Sequence, residues 1–190
     1  PNGVRGDSTS GKSSACFPCP ISMGSTWNKK LIKKIGTALG EEALDKDVDV
    51  LLGPTINLHR HPLGGRHFEN FSEDPFLTAE IAVAYVKGVQ SKKVSACLKH
   101  FVANDTEFER HTVSSNLDER TLREVYLLPF EMGIKKAKAK SVMSAYNKLN
   151  NIYCSSNEDL LVKVLKKEWG FDGYVVSDWG AALELSLIHI

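Results

Sequence analysis

The chain has 190 residues, 42% hydrophobic and 25% charged, with 24 Lys and Arg against 23 Asp and Glu. This is the composition of an ordinary globular domain, with too little Gly and Pro for a disordered or collagen-like chain. The near-neutral balance leaves no electrostatic footprint for nucleic acid, and no apolar run approaches the ~18 residues of a membrane span, so neither partner is expected.

Pro1-Asn2-Gly3 opens the chain in a turn-like stretch without Met. An upstream segment, with any signal peptide, is therefore expected, and the compartment stays open. Gly6 to Ser13 matches the phosphate-binding pattern GxxxxGK[ST] letter for letter. That loop needs a buried strand leading in and a helix leading out, whereas Pro1 to Arg5 precede it and Pro18 and Pro20 follow, so an NTPase is not expected. Cys16-Phe17-Pro18-Cys19 has the spacing of a redox or metal half-site, but no second pair follows; with Cys97 in an apolar run and Cys154 in a polar loop, free thiols or one local bridge are expected.

Four short apolar runs read as buried parallel strands, Val48–Leu52, Val94–Leu98, Ser141–Ala145 and Gly173–Ser177, because continuous hydrophobicity means both faces are covered. Helical patterns lie between them, over Pro75–Gln90, from about Arg120 to Lys138, and over Glu158–Trp169. Asp74-Pro75 offers an N-cap followed by Pro at the first helical position, Ser155 to Glu158 reads as a capping box, and Pro129 should kink the middle helix. The basic stretches Lys29–Lys34, Lys135–Lys140 and Lys163–Lys167 interleave with apolar residues and read as solvated outer helix faces. The fold class is α/β, either an open doubly wound sheet or a (β/α)8 barrel, and a complete barrel needs about 250 residues.

His59, His61 and His67 crowd one loop, but their spacing fits no zinc frame and the loop also holds two Arg and adjacent Gly, so a polar-ligand loop is expected and no metal or cofactor. The stronger signal is positional. Each candidate strand hands over to polar or aromatic residues: the first to Asn57, Arg60 and Arg66, the second to Lys99 and His100, the third to Tyr146 and Asn147, the fourth to Asp178 and Trp179. In parallel α/β folds those ends converge on the ligand-binding face, and this set suits a polyhydroxylated ligand. Asn70-Phe71-Ser72 and Asn104-Asp105-Thr106 are glycosylation acceptors by pattern, yet both fall among these residues and are not expected to carry a glycan.

At these positions the sequence resembles glycoside hydrolase family 3, particularly its fungal-type β-glucosidases, from Pro1 to about Ala181. The resemblance is carried by Gly64 to Pro75 (GGRHFENFSEDP), Lys99-His100-Phe101, Arg120 to Glu124 (RTLRE), Met143 to Asn147 (MSAYN) and Trp169 to Trp179 (WGFDGYVVSDW). It implies an incomplete (β/α)8 TIM-type barrel, truncated at both ends and spanning 1–184. It also implies retaining hydrolysis of terminal β-glucosyl residues from a β-glucoside or oligosaccharide. By similarity Asp178 is the nucleophile, Arg66, Lys99 and His100 bind hydroxyls of the nonreducing-end glucose, and Met143, Tyr146 and Trp179 are further pocket residues.

Two features of the family are not met in this sequence: an Asp preceding the N-terminal Pro that binds sugar, and an acid/base carboxylate in a later domain. The fragment alone is therefore expected to be nearly inactive. Residues after Lys99-His100-Phe101 lack the Pro-Gly of the family's N-acetylglucosaminidase branch, while a β-xylosidase of the same family and a noncatalytic carbohydrate-binding relic stay open as alternatives. Leu185 to Ile190 reads as the translation of a transposon adapter used in DNA library preparation, and 185–190 is expected to be a non-native tail.

Overall fold

A computed structural model describes residues 13–182. Gly6–Lys12 of the phosphate-loop pattern and the Leu185–Ile190 tail lie outside the described residues. Two helices come first, α1 (Pro20–Ser25) and α2 (Lys29–Asp45), the latter capped by the Asn28 side chain, which accepts from Leu31 N–H at 3.0 Å. β1 (Val50–Leu51) is shorter than its apolar run: Gly53 N–H turns back to the Leu51 carbonyl at 2.8 Å, and Pro54 beyond it has no N–H to pair. Pairing nevertheless continues through carbonyls: Gly53 accepts from Cys97 N–H at 3.0 Å and Pro54 from Lys99 N–H at 3.1 Å.

α3 (Pro75–Gln90) begins where the cap signal lies, with Asp74 Oδ1 accepting from Leu77 N–H at 2.6 Å. β2 (Ser95–Phe101) runs three residues past the predicted strand, so Lys99 and His100 lie on the strand itself. β3 (Ser114–Ser115), β5 (Lys148–Leu149) and β6 (Ile152–Tyr153) form a small separate sheet that no sequence pattern announced, since two-residue strands carry no periodicity.

The middle helix is split rather than kinked. α4 (Glu119–Thr121) leads into a wide π-turn over Leu122–Tyr126, closed by Leu127 N–H to Leu122 O at 2.8 Å, and α5 (Leu128–Ala137) starts afresh with Pro129 in its first turn, where no N–H is needed. β4 (Ser141–Ser144) follows, and then α6 (Asp159–Glu168), which is also π-wound and is capped by Asn157, not by the predicted box. Ser155 spends its hydroxyl on the Ala181 carbonyl at 2.7 Å instead. β7 (Tyr174–Ser177) ends the pattern.

The main sheet has the order β1-β2-β4-β7, all parallel, with Leu98 opposite Val142 and Val142 opposite Val175. Alternating strands and helices in this order make the chain an α/β, partial (β/α)8 barrel. One face of each strand feeds a continuous core in which Phe101 meets Phe130 and Trp169 edge-on, at 5.0 and 6.1 Å between ring centroids. Lysines of the basic stretches stay on exposed faces in ion pairs, Lys29 and Lys136 with Glu80, Lys135 with Glu131 and Lys163 with Asp159. All four cysteines are free thiols; Cys154, read as a loop residue, is buried and donates to the Val102 carbonyl.

α2 crosses α3 at backbone contact. A Cβ on Gly36 would lie 2.5 Å from the Tyr85 carbonyl oxygen, and one on Gly88 would lie 2.4 Å from that of Lys33. Neither neighbour is a side chain that can turn away, so a methyl group must push the helices apart. Gly88→Ala is expected to destabilise the protein by about 1–3 kcal/mol, despite the better helix propensity of Ala. Thermal melting checks this, and an unchanged midpoint would mean that α2 slides without cost.

Candidate active site

Parallel register brings the C-terminal ends of β2, β4 and β7 side by side, and loops after β1 and β2 close over them. Where strand pairing stops, the Asn57 side chain replaces it. Its Nδ2 donates to the His100 carbonyl and its Oδ1 accepts from His100 N–H, both at 2.9 Å, so an amide side chain mimics the next strand residue. On the far side Asn147 supplies only the donor half of such a pair, its Nδ2 bonding the Val102 carbonyl at 3.2 Å.

Asp178 follows β7, its N–H bonded to the Ser144 carbonyl at 3.1 Å. The carboxylate is 4% exposed. Oδ1 accepts from Trp179 N–H at 2.8 Å, whereas Oδ2 has no hydrogen-bond partner among the described residues and lies 3.5 Å from His100 Nε2. Burial, with the cations Arg66, Lys99 and Arg110 nearby, pushes His100 well below the ordinary histidine value, so the ring is neutral. The ring faces an acceptor at each end, Asn57 Oδ1 at 3.2 Å from Nδ1 and Asp178 Oδ2 at 3.5 Å from Nε2.

Two cations, buried Lys99 and half-buried Arg66, face this carboxylate. Lys99 is lowered by burial and raised in turn by the charges of Glu69 and Asp178. Arg66 is held by Glu69 through Nε to Oε1 at 3.1 Å and an Nη to Oε2 at 3.0 Å, and Thr55 donates to the same carboxylate at 3.2 Å. Burial works against both charges, but their hydrogen bonds win: Arg66 is raised and Glu69 lowered.

Tyr146 is buried beside Asp178, and its phenol is raised first by loss of solvent and then by that carboxylate. Arg110 caps its ring at 4.6 Å, His111 meets it edge-on at 4.4 Å, and Glu107 bonds Arg110 at 2.7 Å while approaching Arg66 at 3.8 Å. Met143 is buried on β4. Trp179 adjoins Asp178 in sequence but is 79% exposed.

The structure therefore brings Arg66, Lys99, His100, Tyr146 and Asp178 together through direct contacts or mutual charge, and adds Glu69, Glu107 and Arg110, which sequence reasoning passed over. Nothing in the sequence separates these three from surface charges; their only signal is closeness to Arg66 and Lys99-His100. Arg60 is not part of the group, being exposed and lying over the Tyr126 ring at 5.9 Å. The crowded histidines serve the loop: His59 Nε2 donates to the His67 and Asn70 carbonyls at 2.8 and 3.2 Å, and His67 to that of His61. Asn70 and Asn104, the two acceptor-like asparagines, are 3% and 7% exposed and out of reach of a glycan transferase in the folded chain.

Residues 2–189 match the profile of the Glycosyl hydrolase family 3 N terminal domain. A beta-glucosidase of Rhizobium radiobacter is 59% identical over 181 residues, which cover 94% of this chain and 22% of the relative. Among solved structures, beta-glucosidase 3B from Thermotoga neapolitana in complex with glucose superposes with a TM-score of 0.85 at 57% identity, over 86% of this chain and 23% of that one. A beta-glucosidase from Bifidobacterium adolescentis gives 0.91 at 46% identity, over 95% and 26%. The chain thus spans about a fifth of the length of the curated relatives it matches.

One further acid bears on the site. Asp105, in the loop after β2, accepts from Leu58 N–H at 3.1 Å and so fastens that loop to the one carrying Arg66. Burial pushes its carboxyl up to about 6, against the bonding of Leu58 and the charges of Arg60 and His67. A folded value above the unfolded one means that the folded state binds the proton more tightly. This contribution to stability is complete below the unfolded value near 4 and is lost as pH rises through about 6. Asp105→Asn keeps the acceptor for Leu58 without the charge. It is expected to raise the melting temperature at pH 8 by a few degrees, on the order of 1–2 kcal/mol, and to leave it unchanged at pH 4. A variant equally or less stable at pH 8 would contradict the assignment.

Proposed function

Because the chain belongs to glycosyl hydrolase family 3, we propose that it supplies the nucleophile and much of the glycone pocket of a retaining β-glucosidase. The observation that carries this is the Asp178 carboxylate: buried, fixed through Oδ1 by a backbone N–H, and with Oδ2 free of hydrogen bonds among the described residues. Oδ2 attacks the anomeric carbon while the bond from that carbon to the leaving oxygen breaks, giving a covalent glycosyl-enzyme. Water then displaces the carboxylate and restores the original anomeric configuration.

The surrounding charges suit this chemistry. Arg66 and Lys99 place positive charge beside the nucleophile and donate to sugar hydroxyls, while neutral His100 offers the sugar a ring nitrogen. A sugar hydroxyl seated between His100 and Asp178 can bridge them, because it both donates and accepts. Tyr146 supports the nucleophile, with Arg110 steadying its ring, and Met143 lines the pocket. Exposed Trp179 provides an apolar surface for a pyranose ring. Glucose is favoured as the glycone because the similar proteins are beta-glucosidases, one of them solved in complex with glucose.

Protonation of the leaving oxygen needs a second carboxyl group. Among the described residues, Glu69 is tied to Arg66, Glu107 to Arg110 and Asp105 to the Leu58 N–H of the neighbouring loop, so the acid/base group is assigned to the part of the relatives' length that this chain does not span.

The test is to treat the full-length enzyme with a 2-deoxy-2-fluoro-β-glucosyl fluoride, which accumulates the covalent intermediate. The label is expected on the peptide containing Asp178. Asp178→Asn should lower kcat for an aryl β-glucoside by roughly 1,000-fold or more and abolish labelling. Labelling of another residue, or full activity in that variant, would refute the assignment.

A further inference from the structure

Of the two carboxylates at the centre of the site, only Asp178 has an assigned task. Glu69 is 3% exposed, among the least accessible charged residues of the described chain, and burying an ion without a purpose is costly. Its place is set by local geometry: a single 3-10 turn, His67–Glu69, follows Arg66 and folds the carboxylate back onto the guanidinium. There it accepts two parallel bonds, from Nε to Oε1 at 3.1 Å and from an Nη to Oε2 at 3.0 Å. Oε2 also accepts from Thr55 Oγ1 at 3.2 Å, which joins the loop arginine to the end of the first strand.

We propose that Glu69 is a positioning residue for the reaction, holding the Arg66 fork in one orientation and providing the second negative charge that allows Arg66 and Lys99 to stand charged beside Asp178. This rests on the reading of Arg66 and Asp178 given above.

Two arguments support it. Nε and one Nη are engaged by Glu69, so the remaining nitrogen, 3.8 Å from Glu107 Oε1, is aimed by a fixed plane rather than by a flexible chain. The charge count also requires it: Arg66 and Lys99 face each other's repulsion, and Asp178 alone balances one of them. Burial would raise the Glu69 carboxyl, yet the bonds of Arg66 and the charges of Arg66 and Lys99 keep it below its ordinary value. An amide of the same shape cannot substitute, because its NH2 group would point at a guanidinium donor.

The experiment uses the full-length enzyme and an aryl β-glucoside, with rates normalised to active sites counted by the fluoroglucoside label. Glu69→Gln is expected to raise KM about 10- to 100-fold with a smaller change in kcat, the loss of a charge-assisted bond in both ground and transition states. It should also move the alkaline limb of kcat/KM to lower pH. Lys99 is faced by Glu69, Asp178, Arg66 and Cys97, and losing the Glu69 charge makes its ammonium easier to deprotonate. In an Arg66→Ala background the same substitution should change KM by less than about 3-fold. Glu69→Asp keeps the charge but shortens the reach, so KM should rise with the alkaline limb in place.

Unchanged KM and an unmoved limb in Glu69→Gln would overturn the proposal, as would an undiminished effect in the Arg66→Ala background. If Glu69→Gln fails to fold, Glu69→Asp decides: wild-type KM there would overturn it. Labelling away from Asp178 would instead overturn the reading of the pocket, and this role with it.

Discussion

Two cations and two carboxylates share a space from which water is largely excluded, and much of the site follows from how they neutralise one another. Each ion removed from water costs several kcal/mol unless opposite charge and directed bonds repay it. Arg66 and Glu69 repay each other through a fork, while Lys99 is left between Glu69 and Asp178 without a fork of its own. The sum is close to neutral, yet the distribution is uneven: one carboxylate is consumed by bonding and the other keeps an oxygen free. His100 contributes to this by being uncharged, since a third cation would draw Asp178 into an ion pair at 3.5 Å.

Holding such a group requires a frame that does not relax, and the sheet supplies it. Phe101, one residue beyond His100, is locked between Phe130 and Trp169, so the strand that delivers Lys99 and His100 is anchored from behind. β4 and β7 pair residue for residue from Ser141 to Ser144, and Asp178 N–H still donates a ladder bond to the Ser144 carbonyl, whereas the β2–β4 register shifts between Leu98 and Phe101 and so sets Lys99 and His100 on an irregular stretch of the strand. Beyond the strands, Asn57 and Asn147 continue the ladder with side-chain amides. Dipoles are thereby fixed before any ligand arrives, and no folding energy has to be spent reorganising them during the reaction.

The parts of this arrangement that were legible in the sequence are those governed by burial on both faces. Val142 sits in an unbroken apolar run because both faces of β4 are covered, whereas β7, at the edge of the described sheet, leaves Val175 half-buried and Tyr174 exposed where a buried strand was expected. Asp74-Pro75 was readable because a cap and a missing N–H are local requirements. What could not be read depends on contacts distant in sequence. Glu69 looks like any acid three residues after an arginine, and only the 3-10 turn and Thr55 make it a buried partner. Arg110 looks like an exposed loop cation until Tyr146, from the loop after β4, lies beneath it. Ser155 was a sound cap on local grounds but lost to Asn157, because the Ala181 carbonyl claims its hydroxyl. The α2–α3 crossing through Gly36 and Gly88 has no signal in a single sequence beyond the glycines themselves.

Trp179 stands apart from this preformed set, and the contrast separates orientation from affinity. The polar residues have largely met their partners inside the protein, so exchanging those bonds for bonds to a ligand yields only a modest net gain for each. Their effect is mostly to admit one orientation and to leave mismatched groups unpaired. The indole is 79% exposed among the described residues, beside an Asp178 that is 4% exposed. Its apolar surface is still in water, and covering it with the flat face of a sugar ring recovers about 25 cal/mol per Å2 without breaking any existing contact. Under the proposed reading, the buried half of the site therefore determines how the ring sits over Asp178, and the exposed half supplies much of the free energy that keeps it there.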